Sequence, residues 1–145
     1  DQINFIFKNP TFNNIQSGTL PMTDMSQAYT SKYYDLVQNI ALKKNIDLKS
    51  GTLFVSTGPS YETASEVKMA YKMGADAASM STAPEVVVAN QCGMDVIGIS
   101  CITNMATGIT RKPLDHNEVT MTAQLVKNKF LDLTTGIIDR LSESV

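Results

Sequence analysis

Three short polar segments, each placed just after an apolar stretch, carry the side chains of this sequence that are best suited to chemistry. Apolar stretches rich in β-branched residues predict buried strands. Ligands of open α/β sheets bind beyond the carboxyl ends of such strands. The sequence therefore predicts a small-molecule site. The three segments are Tyr61 with Glu62, Met80 with Ser81, and Thr103 with Asn104.

Hydrogen bonding to a flat polar ligand is the chemistry that these side chains can supply. A carboxylate at Glu62, sheltered at a strand end, can accept from a ligand N–H, although a solvated turn glutamate is an equal alternative. The Asn104 amide both donates and accepts, so it can recognise two adjacent atoms of a heterocycle, or it can simply end a strand. Tyr61 can stack on a flat ring or be an ordinary half-buried tyrosine.

Two further candidates lie at predicted helix N-termini. Ser81 precedes a helix predicted to begin at Pro84, where unpaired N–H groups favour phosphate or another anion; simple capping is the commoner role. His116 is the single histidine and lies in the first turn of the last predicted helix, where the helix dipole disfavours a positive charge. A neutral imidazole there can bond a hydroxyl, and a surface histidine is the commoner alternative.

Composition and charge exclude several classes of protein. The 145 residues carry a net charge of −2, from 12 basic and 14 acidic residues, so nothing favours nucleic acid or an anionic membrane surface. A 43% hydrophobic content is typical of a globular chain, here expected to form one domain over residues 1–145, and no apolar run approaches the roughly 20 residues of a membrane helix. Cys92 and Cys101 predict reduced, buried thiols of a cytoplasmic protein rather than disulfides or a metal cage.

Alternating strand and helix signals predict α/β layering. Capping boxes, at Thr63 with Glu66 and at Asp115 with Glu118, predict two of the helix starts. The sequence contains no glycine-rich dinucleotide or phosphate loop and no serine elbow, so spacing alone predicts a site of unknown chemistry. Strands are predicted at 52–57, 75–79 and, as the central strand, 95–102; helices at 26–46, 63–73, 84–93 and 115–141; loops at 9–25 and 105–114.

Four motifs in order link this chain to a known family. They are GPSYET, GADAASMSTAPEVVVANQCG, SCITN followed by MATGI, and LDHNEV. Together they resemble the carboxyl-terminal part of the trimeric purine nucleoside phosphorylases, and the resemblance covers essentially the whole chain. It implies a three-layer α/β fold, a mixed β-sheet flanked by helices, here without its N-terminal part. Residues 1–4, which look like a strand exit, also suggest a chain that begins mid-domain.

The resemblance implies an activity and a set of roles. The family catalyses reversible phosphorolysis, in which a purine nucleoside and inorganic phosphate give the free base and the pentose 1-phosphate. Glu62 then resembles the carboxylate that accepts from purine N1–H, and Asn104 the amide that contacts N7 and the 6-substituent. The implied substrate contacts are Tyr61 and Thr103 at the base, Met80 at the ribose, Ser81 at phosphate, His116 at the 5′-hydroxyl, and Met22, in place of a phenylalanine, in the neighbouring subunit's site.

The same resemblance implies a homotrimer that needs no cofactor or metal, with phosphate as co-substrate. The family's phosphate-binding Gly-rich turn, Arg and His lie upstream of this chain, and Ser81 alone is expected to hold phosphate poorly. Two alternatives stay open. The chain is a purine-binding or structural portion without activity, or it belongs to a methylthioadenosine phosphorylase, which is expected to have Asp where this chain has Asn104.

Overall fold

The computed structural model describes residues 1–12 and 22–143. Its internal contacts divide the chain into two compact units. The single domain expected over residues 1–145 stays a prediction. Unit 1 comprises Asp1–Thr30, Gly51–Ile99 and Ala106–Arg111, and unit 2 comprises Ser31–Ser50, Ser100–Met105 and Lys112–Val145.

A three-stranded parallel sheet forms the centre of unit 1. Its strands are β1 (Gln2–Asn4), β2 (Leu53–Val55) and β3 (Ala77–Ser79), in the order β1-β2-β3. All three residues of β2 are buried, as expected for a central parallel strand covered on both faces. The α/β class is thereby confirmed. Every described strand pair is parallel, and the mixed sheet stays a prediction.

Two helices of unit 1 begin where local signals predict. The helix α2 (Ala64–Lys72) starts with the expected capping box: the Glu66 carboxylate accepts the Thr63 N–H at 2.7 Å, and the Thr63 hydroxyl accepts the Glu66 N–H at 3.3 Å. The helix α3 (Ala83–Gln91) lies against β1. Its small Ala83 is fully buried and packs with β2 in the core, so α3 approaches the sheet closely.

Unit 2 consists mainly of two helices, α1 (Tyr34–Lys43) and α4 (His116–Ser142), which pack against each other. The cap of α4 is Asp115, whose carboxylate accepts the N–H of Asn117 at 3.0 Å. The predicted start of this helix is therefore confirmed, but the expected capping box with Glu118 is wrong, because the Asp115 carboxylate bonds Asn117 instead. The buried side chains of the two helices are Val37, Ala41, Leu133 and Ile137.

The helix expected over residues 26–46 is present, but its predicted start at Ser26 is wrong. The structure has a 3-10 turn at Ser31–Tyr33 and α1 begins only at Tyr34. Two side chains explain the delay. The Asp24 carboxylate accepts the Ser26 N–H at 2.8 Å and forms a turn, and Thr30 bonds in both directions to the backbone of Val96. These bonds use backbone groups that a helix would need.

The central strand expected at residues 95–102 is also wrong. These residues have strand composition but form no ladder within the part of the chain that the structure describes. A strand requires a neighbouring strand to bond its backbone. The central place beside β2 is taken by β1 and β3, and Val96 bonds instead to Thr30, which lies in no strand. The apolar, β-branched composition therefore predicted a strand, but composition cannot show whether a neighbouring strand is available to pair with it.

The predictions for the two cysteines, the first residues and the long loop differ in their outcomes. Cys92 and Cys101 are free thiols but both are exposed, so the expected burial is wrong. Cys101 lies in the segment that forms no ladder, and Cys92 is the C-cap of α3, beyond that helix's buried residues. Residues 2–4 form a strand rather than only its exit. Of the predicted loop 9–25, residues 13–21 lie outside the described residues.

Candidate functional site

The carboxyl ends of β2 and β3 lie side by side and carry the predicted site residues of unit 1. Val55 and Ser79 are register partners in the parallel pair. The Ser56 N–H donates to the Ser79 carbonyl at 2.9 Å and extends the pairing by one residue beyond β2. The segments that contain Glu62 and Met80 therefore leave the sheet at the same edge, as the sequence predicted.

Glu62 is half-buried and directly bonded to the strand end. The Ser56 hydroxyl donates to Glu62 Oε1 at 2.6 Å. Within residues 1–12 and 22–143 this is the one hydrogen bond to that carboxylate. A short bond to an ionised acceptor is among the stronger side-chain hydrogen bonds. The carboxylate is thus held at one oxygen, and sequence reasoning did not single out Ser56, because it was counted only as part of a strand.

Met80 lies on the backbone of Gly58. A Cβ placed on Gly58 would be 2.5 Å from Met80 Sδ, and Gly58 has a φ of +62°, a conformation that favours glycine. The peptide bond from Gly58 to Pro59 is cis. Tyr61, next along this segment, is 39% exposed. The GPSYET motif and the Met80-Ser81 motif are therefore in contact.

Ser81 is tied to the last residue of β3. The Ser79 hydroxyl accepts the Ser81 N–H at 3.1 Å and donates to the Ser81 carbonyl at 3.2 Å. The next residue, Thr82, has a φ of +87°, which costs a β-branched residue about 1–3 kcal/mol. The bonds from its N–H to Glu85 and from the Val86 N–H to its carbonyl hold this conformation. Ser81 thus has a defined position directly before α3.

Unit 2 contains Thr103, Asn104 and His116. Thr103 and Asn104 are half-buried, and the Asn104 amide donates to the Thr103 hydroxyl at 3.3 Å. Thr122 of α4 donates its hydroxyl to the Thr103 carbonyl at 3.1 Å. Thr122 was missed at the sequence level, since a threonine inside a helix gives no signal of such a contact. His116 is the exposed first residue of α4.

Electrostatics at the start of α4 favour a carboxylate. The pKa of Asp115 is lowered by the backbone N–H of Asn117 first, by the Asn117 side chain second, and to a smaller degree by the charge of His116. The carboxylate is therefore stabilised in its ionised form beside the histidine that was predicted to contact a hydroxyl.

The predicted residues fall into two groups. Unit 1 brings Glu62, Met80 and Ser81 to one sheet edge, and unit 2 joins Thr103 to Asn104. Met22 is 92% exposed. That Glu62 and Asn104 contact one ligand stays a prediction.

The described residues contain neither a cluster suited to a metal ion nor a helix suited to a membrane. Among the described residues, no group of three or more His, Cys, Asp or Glu side chains is arranged to hold a metal ion. None of the helices in the described part of the chain has both the length and the apolar character needed to cross a membrane.

The sequence matches the family described as the phosphorylase superfamily over residues 1–139. The chain therefore belongs to the phosphorylase superfamily, in agreement with its parallel sheet and the motifs at the strand ends. The resemblance identified from the four motifs is confirmed at this level.

The curated relatives that are most informative within the superfamily are purine nucleoside phosphorylases. The chain is 46% identical over 140 residues to purine nucleoside phosphorylase 1 of Bacillus subtilis, covering 95% of this chain and 51% of that protein. It is 40% identical over 145 residues to purine nucleoside phosphorylase 1 of Geobacillus stearothermophilus, covering 99% and 53%. The chain thus spans about half the length of these relatives.

Solved structures show the same relationship. The chain superimposes on isoform 2 of purine nucleoside phosphorylase from Schistosoma mansoni, in complex with cytosine and ribose-1-phosphate, with a TM-score of 0.82 and 27% identity, covering 97% of this chain and 52% of the other. A Schistosoma purine nucleoside phosphorylase in complex with hypoxanthine superimposes with a TM-score of 0.79 and 30% identity. The match covers 83% of this chain and 44% of the other.

Proposed function

We propose that this chain is the base-recognising portion of a purine nucleoside phosphorylase. The complete protein would convert 6-oxopurine ribonucleosides and deoxyribonucleosides, such as inosine and guanosine, reversibly to free base and pentose 1-phosphate with inorganic phosphate. The observation that carries this proposal is the half-buried Glu62 carboxylate at the carboxyl end of β2, held by Ser56 at one oxygen. Similarity to named phosphorylases supports the reaction class.

Glu62 provides the discrimination between purines. A 6-oxopurine has an N1–H that donates to a carboxylate, whereas adenine has a lone pair at N1. An adenine would leave a half-buried carboxylate facing an acceptor, and an unpaired polar group of this kind costs about 1–3 kcal/mol. Sites built to bond a particular donor reject analogues that lack it. Glu62 therefore selects hypoxanthine and guanine.

Asn104 acts on the leaving group. Breaking the glycosidic bond places negative charge on the purine and positive charge on the sugar. A donor directed at N7 is worth more in the transition state than in the ground state, so it accelerates the reaction. The Asn104 amide is that donor, and its carbonyl or amino group meets the 6-substituent. Its bond to Thr103 limits the rotation of the amide.

The other residues contact the rest of the substrate. Tyr61 and Thr103 border the base, and Met80 faces the ribose. Ser81 contacts phosphate, and His116 the 5′-hydroxyl. Met22 reaches the site of a neighbouring subunit in a homotrimer. We further propose that the enzyme is cytoplasmic and uses no cofactor or metal, with phosphate as the second substrate.

The requirement for phosphate tests the reaction class. The complete protein that carries this chain should release hypoxanthine from inosine only when phosphate is present, with equimolar ribose 1-phosphate. Release at an equal rate in phosphate-free buffer, with free ribose as product, would identify a hydrolase and refute the proposal. Adenosine as substrate, at equal concentration, measures the selectivity attributed to Glu62.

A second candidate is a purine-binding portion without activity of its own. It is favoured by the length of the match, which is about half of each curated relative. Turnover of inosine by the 145-residue chain alone would exclude it. Hypoxanthine binding without turnover would support it. A methylthioadenosine phosphorylase is disfavoured by Asn104, because an aspartate is expected there.

A further inference from the structure

We propose that Ser56 is a positioning residue that sets the purine specificity of the site by orienting the Glu62 carboxylate. This inference rests on the proposed function, in which Glu62 accepts from purine N1–H. Ser56 itself makes no contact with the substrate in this proposal. It acts on the base through one side chain, Glu62.

The backbone of Ser56 is fixed by the sheet. Its N–H donates to the carbonyl of Ser79 at 2.9 Å, one residue beyond the register pair of Val55 and Ser79. Val55 is fully buried. The Ser56 hydroxyl is therefore attached to backbone that the sheet holds in place. A group attached to a rigid element positions a partner more accurately than one attached to a loop.

The direction of the bond follows from its chemistry. An ionised carboxylate accepts only, so the Ser56 hydroxyl donates to Glu62 Oε1 over their 2.6 Å separation. Within residues 1–12 and 22–143, no side chain or backbone group donates to Glu62 Oε2. The bond therefore occupies one carboxylate oxygen and leaves the other to accept a ligand N–H.

Orientation of Glu62 matters because its side chain has three rotatable bonds and lies in the segment between β2 and α2. Ordering a rotamer-rich side chain on binding weakens affinity about two- to tenfold. The Ser56 bond orders the carboxylate before the base arrives. Only a base with an N1–H gains from this order, since it alone bonds the free oxygen. Ser56 thus affects 6-oxopurines more than other purines.

The test compares ligands with and without an N1–H in the complete protein. Dissociation constants of hypoxanthine, and of unsubstituted purine as the ligand without the 6-oxo group and its N1–H, are measured by calorimetry for the wild type and for Ser56→Ala, Ser56→Val and Ser56→Thr. Valine and threonine have nearly the same shape and differ in the hydroxyl. Ser65→Ala, on the exposed first turn of α2, is the control for loss of a serine hydroxyl elsewhere.

Ser56→Ala and Ser56→Val should weaken hypoxanthine binding about three- to tenfold, because the Glu62 side chain would then have to be ordered when the base binds. Binding of unsubstituted purine should change less than about twofold. Ser56→Thr and Ser65→Ala should resemble the wild type with both ligands. The KM for inosine should rise in parallel with the hypoxanthine constant.

Equal weakening of both ligands would show a merely structural role and overturn the proposal, as would unchanged binding in Ser56→Val. If the Ser56→Ala variant does not fold, the comparison of Ser56→Val with Ser56→Thr still tests whether the hydroxyl matters. A wild type that binds hypoxanthine but needs no phosphate for inosine cleavage would refute the proposed reaction and leave the Ser56 result standing. The two failures are therefore distinguishable.

Discussion

Met80 Sδ occupies the space next to Gly58, 2.5 Å from where a Cβ would lie. This contact joins the two motifs that follow β2 and β3, and it requires glycine for two reasons. Gly58 has a φ of +62°, and there is no room for a side chain. A substitution here tests whether the position of Met80 matters to the site.

Gly58→Ala should displace Met80 and reduce kcat/KM for inosine about tenfold or more, since misplacing a substrate contact by about 1 Å can cost a factor of that size. The left-handed φ adds a loss of about 1–2 kcal/mol in the free energy of unfolding. Gly74→Ala is the matched control, because Gly74 also has a positive φ, of +92°, but no atom within 4 Å of the added Cβ. Steady-state kinetics and urea unfolding separate the two effects, and equal kinetic losses in both variants would contradict a role for the Met80 contact.

Removal of the Glu62 carboxylate should reduce 6-oxopurine recognition. In Glu62→Ala the kcat/KM for inosine should fall about 10- to 150-fold, the range for a hydrogen bond to a charged group. Glu62→Gln should lose less with inosine and should gain relative activity with adenosine, because an amide can donate to adenine N1. Glu143→Gln, an exposed carboxylate paired with Arg140 at the end of α4, serves as control. Unchanged selectivity in both Glu62 variants would place base recognition elsewhere.

Asn104→Asp should shift the preference toward 6-aminopurines. The substitution presents only acceptors to the 6-position, which attract the amino group of adenosine and repel the carbonyl of inosine. A change of about tenfold or more in the ratio of kcat/KM for adenosine to that for inosine is expected. Asn128→Asp, at an exposed position within α4, controls for the added charge. An unaltered ratio would argue against Asn104 in the base pocket.

Stability in acid should depend on the capping box of α2. The pKa of Glu66 is lowered, chiefly by the backbone N–H of Thr63. Because the folded pKa lies below the ordinary value of 4.5, this contribution is complete above that pH and is lost as the pH falls through the folded pKa. Glu66→Gln keeps the acceptor without titrating, so its unfolding free energy should fall less steeply below that pH. Identical slopes in urea unfolding between pH 3 and 7 would contradict this.

Local signals were sufficient for several elements. The capping box of Thr63 with Glu66 involves residues three apart and needs no distant partner, so the start of α2 was predicted correctly. The start of α4 was also predicted correctly, because its cap, Asp115, bonds the N–H of Asn117 only two residues further on. The strands β2 and β3 lie within their predicted segments, because their apolar, β-branched or small residues suit a buried parallel sheet.

Long-range partners explain the failures. Residues 95–102 have strand composition but form no ladder among the described residues. The helix predicted from Ser26 begins only at Tyr34, because Thr30 bonds Val96 instead. The Ser56 contact with Glu62 was also invisible at the sequence level. The two residues are six positions apart in the sequence, and a glycine with a left-handed φ, Gly58, lies between them.

The sequence by itself determined the superfamily, the starts of α2, α3 and α4 and the identity of the side chains at the strand ends, because motifs and caps are properties of neighbouring residues. The tertiary structure alone decided that Ser56 fills one oxygen of Glu62 and that Met80 lies on Gly58. Both contacts depend on the parallel register of β2 with β3. Register is set by backbone hydrogen bonds and by packing, here between segments more than twenty residues apart in the sequence.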